Sequence, residues 1–373
     1  MLRRLTAAHL YYFSQPFMFI YCLCGVVCGM GVKIGDIIPD EAVEQTSLKK
    51  LSGKAIAFDA YNILYQFLAT IRGPDGKPLM DRRGRVTSHL SGLFFRTINF
   101  LQEGLLPVYV FDGRPPEEKY RTIEKRMMSR EEAGRLYEAA LAEGDLEAAR
   151  RYAQRAASLE KYMVESAADL LKAMGVPYVM APSEGEAQAA YMAAKGSVYA
   201  AGSQDMDSLL FGSPRLVRNL SIVGRRKLPG RKEYVEVVPE IIYLDKLLAS
   251  LGLTREQLID IGLLVGTDYS PQVRGVGPKT ALKIVKEYGS LEKAVETGAV
   301  EVEFDVQAVR QLFLKPRVTD DYTLNWREPS EEMVMELLVE EFDFSRERVG
   351  KALAELRQTL SKRSSSLDAF FSE

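Results

Sequence analysis

Seven acidic residues stand at the ends of apolar runs: Asp59 in KAIAFDAY, Asp112 in PVYVFDG, Glu184 and Glu186 in APSEGEA, Asp205 and Asp207 in GSQDMDS, and Asp268 in LLVGTDYS. A short apolar run bounded by turn formers predicts a buried strand, so a carboxylate at its end is expected at the edge of a sheet. Carboxylates that converge there repel one another and disfavour their own ionised forms unless positive charge lies between them. The only histidines are His9 and His89, and the three cysteines (Cys22, Cys24, Cys28) all fall within the first 29 residues. Nitrogen or sulfur ligation in the body of the chain is thereby excluded, and an all-oxygen set favours magnesium, with manganese as a substitute. Two such ions can activate a water, stabilise a leaving oxygen and clamp a phosphodiester between them. Glu184 with Glu186, and Asp205 with Asp207, stand two apart, which in extended backbone turns both members of a pair to one side. Lys119 and Arg126, seven apart on a predicted helix, share roughly one face, where they can balance negative charge developing on a phosphate.

The elements that must position these residues follow from the same pattern. Over 54–211, short apolar runs alternate with helical periodicity: AIAFDAY, a helix over 88–103, LPVYVFD, a long charged helical stretch, GVPYVMA, a helix over 184–195, and SVYAAGS. Strands alternating with helices predict an α/β fold with a mainly parallel central sheet and helices on both faces, and ligands beyond the carboxyl ends of the strands. The segment at about 115–161 is helical but polar on nearly all sides, which predicts a projecting helical arch starting directly after the Asp112 loop. LVRNLSIVG and EYVEVVP flank the basic RRKLPGRK and read as a β-rich connection. A helix is expected over 254–265 with Thr254 as its N-cap, and a second from Pro278. Between them RGVGPKTA places Gly275 and Gly277 before a helix N-terminus whose free N–H groups and dipole suit a phosphate.

The 373 residues carry a net charge of -2, with 47% hydrophobic and 27% charged residues, the composition of a soluble globular protein. Near-neutrality does not exclude a nucleic-acid partner, because acidic ligands are pooled with basic clusters at 82–85, 119–130, 225–232 and 279–286. A body poor in asparagine and free of cysteine hints at heat adaptation. Residues 5–32 contain no Asp, Glu, Lys or Arg and follow Arg3 and Arg4, so they are long enough for a membrane span or a signal. Met30, however, opens MGVKIGDIIP and ordinary intracellular sequence, so 1–29 is read as an upstream extension outside the working protein, arising from a misassigned start. The tail at 361–373, SKRSSSLDAFFSE, is serine-rich and then apolar; Leu367, Phe370 and Phe371 would share one face of a helical turn and suit a partner that buries them.

From Met30 onward the chain resembles the flap endonucleases of archaeal and eukaryotic type, within the wider family of structure-specific 5′ nucleases. FDAYNILYQF, TSHLSGLFFRT, YVFDGRPP, APSEGEAQAA, SQDMDSLLFG, GLLVGTDY and RGVGPKTA occur in that family's order and spacing. The resemblance implies a nuclease domain over 30–360 that hydrolyses phosphodiesters with two magnesium ions where duplex DNA meets a 5′ single strand, in replication and repair. It implies that the seven acids hold the metals or support their ligands, that Lys119 and Arg126 are the arch-base cations, that a base stacks on Tyr65, and that Arg96 is a basic residue near the active site. It further implies a helix-two-turn-helix over 254–288 that grips the duplex with Gly275, Gly277, Lys279 and Thr280, with a potassium ion. Leu367, Phe370 and Phe371 would dock on a sliding clamp, although Ser364 stands where the clamp box has glutamine. Gly31 would occupy the place of the family's N-terminal glycine. A monomer inside an archaeal cell, with no membrane contact, is expected.

Two other classes are compatible with the residues alone. A small-molecule phosphohydrolase also uses aspartates at strand ends, with one as nucleophile, but has no use for RGVGPKTA. A non-catalytic, clamp-tethered DNA-binding protein would employ the acids only as helix caps.

Overall fold

The computed structural model describes residues 31–73, 77–220, 224–227 and 234–370, with side chains at 224–227, 234–236 and 363–370 outside the description. The extension at 1–29 and Phe371 of the tail therefore lie outside the described residues.

The chain runs β1 (Val43–Gln45), β2 (Ala55–Asp59), α1 (Ala60–Thr70), α2 (Ser88–Glu103), β3 (Leu106–Phe111), α3 (Tyr120–Ala142), α4 (Leu146–Arg155), α5 (Lys161–Ala173), β4 (Tyr178–Met180), α6 (Gly185–Ala194), β5 (Ala200–Gly202) and α7 (Asp207–Leu210). Then come β6 (Arg215–Arg218), β7 (Gly224–Lys227), β8 (Tyr234–Val237), β9 (Glu240–Tyr243), α8 (Leu244–Leu251), α9 (Arg255–Val265), α10 (Pro278–Tyr288), α11 (Leu291–Glu296), α12 (Val306–Leu314), α13 (Glu331–Met335) and α14 (Arg346–Phe370). The main sheet has the order β1-β9-β6-β5-β2-β3-β4, and β7 with β8 forms a separate hairpin. Strands β6, β5, β2, β3 and β4 pair in parallel, while β9 runs antiparallel to β6 and to β1. From β2 the chain builds outward through β3 and β4, then crosses to β5 on the other side of β2. The β2–β5 boundary is thus a switch point, where an open parallel sheet leaves a crevice at its carboxyl edge.

Period-2 alternation covers both faces. Ile56, Phe58, Tyr109 and Phe111 join one core with α1, α2, α5 and α14. Ala57, Val108, Val110 and Ala201 face a second core that contains Ala189, Met192 and Ala193 of α6. Phe58 stacks on Phe100 at 5.2 Å between centroids and on Tyr109 at 5.8 Å, contacts each worth about 1 kcal/mol beyond burial. That packing fixes the strand one residue before Asp59, and Gly202 on β5 is pressed so close that a Cβ there would stand 2.6 Å from the Phe58 ring.

The polar stretch forms α3 and α4, which pack together around a small core of Ala140, Ala148 and Ala149. Arg72, just beyond α1, ties the pair down by donating to the Ala153 carbonyl at 2.8 Å. Thr254 caps α9 in a full capping box with Gln257, and α10 begins at Pro278. The backbone of 361–370, expected as part of a flexible tail, continues α14.

Candidate active site

Asp59 ends β2 and caps α1, accepting from the Asn62 backbone N–H at 3.0 Å. Asp112 follows β3 and accepts from the Gly185 N–H at 2.6 Å, which fastens it to the first turn of α6. A side chain at Gly185 would collide with that carboxylate, since a Cβ would lie 2.8 Å from Oδ1. Asp205 receives the Asn62 amide at 2.7 Å. Asp207 opens α7 and accepts from the Val32 N–H at 2.8 Å. Glu186 accepts from both the N–H (3.1 Å) and the hydroxyl (2.6 Å) of Ser208. Asp268 lies in the loop after α9, where its carbonyl accepts from Thr122 at 2.8 Å.

The cations arrive from the arch. The Lys119 ammonium pairs with Glu184 and stands 3.2 Å from Asp268, and Arg126 donates to Asp268. Two cations thus face seven carboxylates in one crevice, a mismatch visible in the ionisation of the acids. Burial pushes Asp59 up to about 6, with the Glu184 charge adding and Asn62 and Lys119 opposing. Burial, then the Asp59 charge, pushes Asp112 up to about 7. Burial, then Asp268, does the same to Asp207. Glu186 rises well above the usual range through burial and through Asp207, Asp205 and Asp59. Burial alone would lower Lys119, but Glu184, Asp268 and Asp112 outweigh it and hold the ammonium above its ordinary value.

Among the described residues, no three acidic side chains are yet drawn closely enough round one point to hold a metal ion. The donor set nevertheless fits hard divalent cations: every candidate ligand is a carboxylate oxygen, and the charge two organic cations leave uncompensated is what such ions neutralise.

The paired acids are placed differently from the expectation. Neither pair lies wholly in extended backbone: Glu184 holds the extended N-cap position of α6 without a capping hydrogen bond and Glu186 is in the first helical turn, while Asp205 precedes α7 and Asp207 begins it. The members of a pair therefore diverge, Glu184 toward Lys119 and Glu186 toward Ser208. Tyr65 lies on α1 with the Arg130 guanidinium of α3 4.7 Å above its ring. Arg96, on α2, is half-buried over Phe100 at 5.9 Å. At the head of α10, Gly275 has φ +78° with open space around its Cα, Val276 is buried as an anchor, and Lys279 and Thr280 are exposed beside free helix N–H groups. Leu367 and Phe370 fall on the α14 backbone, their side chains outside the description.

Residues the sequence reading passed over complete the crevice. Asn62 links β2 to Asp205, and Ser208 fixes Glu186. Tyr269 is buried, and burial together with Glu184, Asp207, Asp268 and Glu186 holds its hydroxyl protonated. Tyr61 lies within the field of Asp112, Tyr65 and Asp59. Gly31, by contrast, was expected from the sequence, and at φ +89° it packs against the Asp205 side chain.

Two family models match the chain, the XPG N-terminal domain over residues 30–133 and the XPG I-region over residues 175–268. The chain is 58% identical over 348 residues to flap endonuclease 1 of Ignicoccus hospitalis, spanning 92% of this chain and 99% of that protein. It is 54% identical over 344 residues to flap endonuclease 1 of Pyrococcus furiosus, spanning 92% and 99%. Among solved structures, flap endonuclease-1 from Methanococcus jannaschii superposes with a TM-score of 0.69 at 40% identity, covering 89% of this chain and all (100%) of that one. The catalytic core of Rad2 in complex with DNA substrate superposes with a TM-score of 0.65 at 25% identity, covering 87% and 100%.

Proposed function

The chain belongs to the flap endonuclease family, and from that premise we propose how its residues divide the work of a structure-specific 5′ flap endonuclease with 5′ exonuclease activity. The observation that carries this reading is the Lys119 ammonium set between Glu184 and Asp268, among seven carboxylates at the switch point of the sheet. A small-molecule phosphohydrolase has no use for the α9–α10 hairpin, and acids serving only as caps would not be gathered in one crevice.

Asp59, Asp112, Glu184, Glu186, Asp205, Asp207 and Asp268 would hold two divalent ions, magnesium with manganese as a substitute, directly or by supporting the ligands. When bound, such ions lower the pKa of water and neutralise charge on a phosphodiester, so no carboxylate need act as a tuned general base. Lys119 and Arg126 balance the charge that grows on the scissile phosphate. Tyr65 offers its ring to a base, and Arg96 adds positive charge behind α1. Gly275, Gly277, Lys279 and Thr280 present N–H groups and a cation to the duplex backbone, with potassium as a companion ion. Such contacts read shape and strand polarity rather than sequence. Leu367, Phe370 and Phe371 are the clamp-docking residues of this reading.

The family match opens at residue 30 and Gly31 packs on Asp205, which together support reading 30–360 as the nuclease and 1–29 as outside it. No described helix is long and apolar enough to cross a membrane; a DNA substrate argues for work inside the cell.

The test is an end-labelled duplex with a 5′ flap, incubated with protein beginning at Gly31 in magnesium or in chelator. A discrete product that requires the metal is expected; a product formed equally in chelator, or none in magnesium, would contradict the assignment.

A further inference from the structure

Two openings lead into the carboxylate crevice, one on each side of the base of α3. The first, of about 700 Å³, lies between α3 and the loop that follows α9, and it contains Gly31, Arg126 and Asp268. That side is continuous with the hairpin assigned to the duplex. The second, of about 530 Å³, contains Glu184 and is walled by Arg114, Lys315 and Arg317, with the mostly buried Phe211 and Tyr269 behind them. Lys119 stands between the two, because it reaches Glu184 on one side and Asp268 on the other.

Arg114, Lys315 and Arg317 are exposed, and no ion pair joins them to an acid among the described residues. Their placement is firm. Arg114 follows Asp112 by two residues on the loop that enters the arch. Lys315 and Arg317 lie just after α12, whose end is held by Arg255 donating to the Phe313 carbonyl at 2.7 Å. Two residues later Thr319 exchanges hydrogen bonds of 2.8 Å with Gln188 of α6, the helix that begins directly after Glu184. A strap bolted to the catalytic helix thus carries two unpaired cations to the mouth of the site, facing a third from the arch loop. Glu117 and Glu118 also line this opening, three and four residues beyond Arg114 on the same segment, and would repel a polyanion that strayed toward α3.

We propose that this second opening is a phosphate groove for the displaced 5′ single strand beyond the scissile phosphate, gripped by Arg114, Lys315 and Arg317. The proposal rests on the nuclease reading and adds a subsite to it. The aromatic rings behind the cations are covered, so contact is to the strand's backbone and is indifferent to sequence.

The test uses the double variant Lys315→Gln/Arg317→Gln, and in parallel the reversal Lys315→Glu/Arg317→Glu, with thermal midpoints measured to show that both fold. Binding and cutting are compared on a duplex with a long 5′ single strand and on a nicked duplex with none. For the flap substrate, affinity should fall about 10-fold and the slope of log affinity against log salt should flatten by about 1.4, while the nick is bound and cut as by wild type. Equal losses on both substrates would overturn the proposal, assigning the cations to the duplex or the fold; no loss on either would reduce them to solvated surface. Failure of the wild type to cut either substrate in magnesium would strike the nuclease reading instead.

Discussion

Gly31 lies against Asp205 so closely that a methyl group on its Cα would stand 2.6 Å from the aspartate Cβ and 2.8 Å from its carboxyl carbon. The backbone there has φ +89°, a region side chains rarely enter, so the contact is doubly reserved for glycine. Gly31→Ala must therefore move Asp205, and a shift of that kind at a reacting centre costs about 100-fold in rate. Single-turnover cutting of a flap duplex is expected to slow by that order while duplex binding holds; an unchanged rate would show that the Asp205 position is not critical.

Lys119 pairs with two of the acids, whereas among the described residues Arg126 forms an ion pair with Asp268 alone and acts on Asp207 through its charge. Lys119→Met should lower kcat about 100- to 1,000-fold with little change in affinity for flap DNA. Arg126→Met should cost less, and the double variant less than the product of the two, because both cations act on one cluster. Strict additivity in a single-turnover series would mean that they serve separate steps.

The crevice holds more negative charge than the chain's own cations offset, which sets stability against function. Asp207→Asn keeps an oxygen for the Val32 N–H and deletes one repelling charge. In chelator the variant should be more stable than wild type by about 1–2 kcal/mol in denaturant melts, and it should cut flap DNA at a small fraction of the wild-type rate. A variant less stable than wild type would show that the carboxylates are better compensated than their contacts indicate.

His89 is fully buried between α2 and α5, its Nε2 3.1 Å from the Ser166 hydroxyl and its Nδ1 without a hydrogen-bond partner among the described residues. Burial lowers its pKa to about 3, whereas in the unfolded chain it titrates near 6.5. The stability that neutral His89 permits is whole above pH 6.5 and is lost as pH falls toward 3. Between pH 7 and pH 5 the loss is about 2 kcal/mol. Denaturant midpoints of wild type and His89→Gln should show that much less pH dependence in the variant; parallel curves would place the acid sensitivity elsewhere.

The central sheet and the helices α3, α4, α9 and α10 were legible because each has a local signature: apolar runs ended by acids, a helix polar on nearly every side, a threonine cap, and proline after paired glycines. Asp59, Asp112 and Asp205 could be placed at the carboxyl edge from sequence because parallel strands all deliver their ends to one side. The orientation of the close pairs was not legible. Spacing two apart means one face only in extended backbone, and helix starts at Gly185 and Asp207 override it. Asn62, Ser208 and Tyr269 escaped notice for another reason, since their partners are distant in sequence: the Asn62–Asp205 bond spans 143 positions, and no local periodicity encodes it. The wall formed by Lys315 and Arg317 likewise exists only once Thr319 is bound to Gln188.

The central claim is that folding gathers these carboxylates into one seat for divalent ions. Anomalous scattering from crystals of the protein soaked in manganese tests it directly. The account predicts manganese peaks in the crevice among Asp59, Asp112, Glu184, Glu186, Asp205 and Asp207, with the Lys119–Glu184 pair opened. Ions found only at the surface, with Lys119 still bound to Glu184 at saturating manganese, would contradict it.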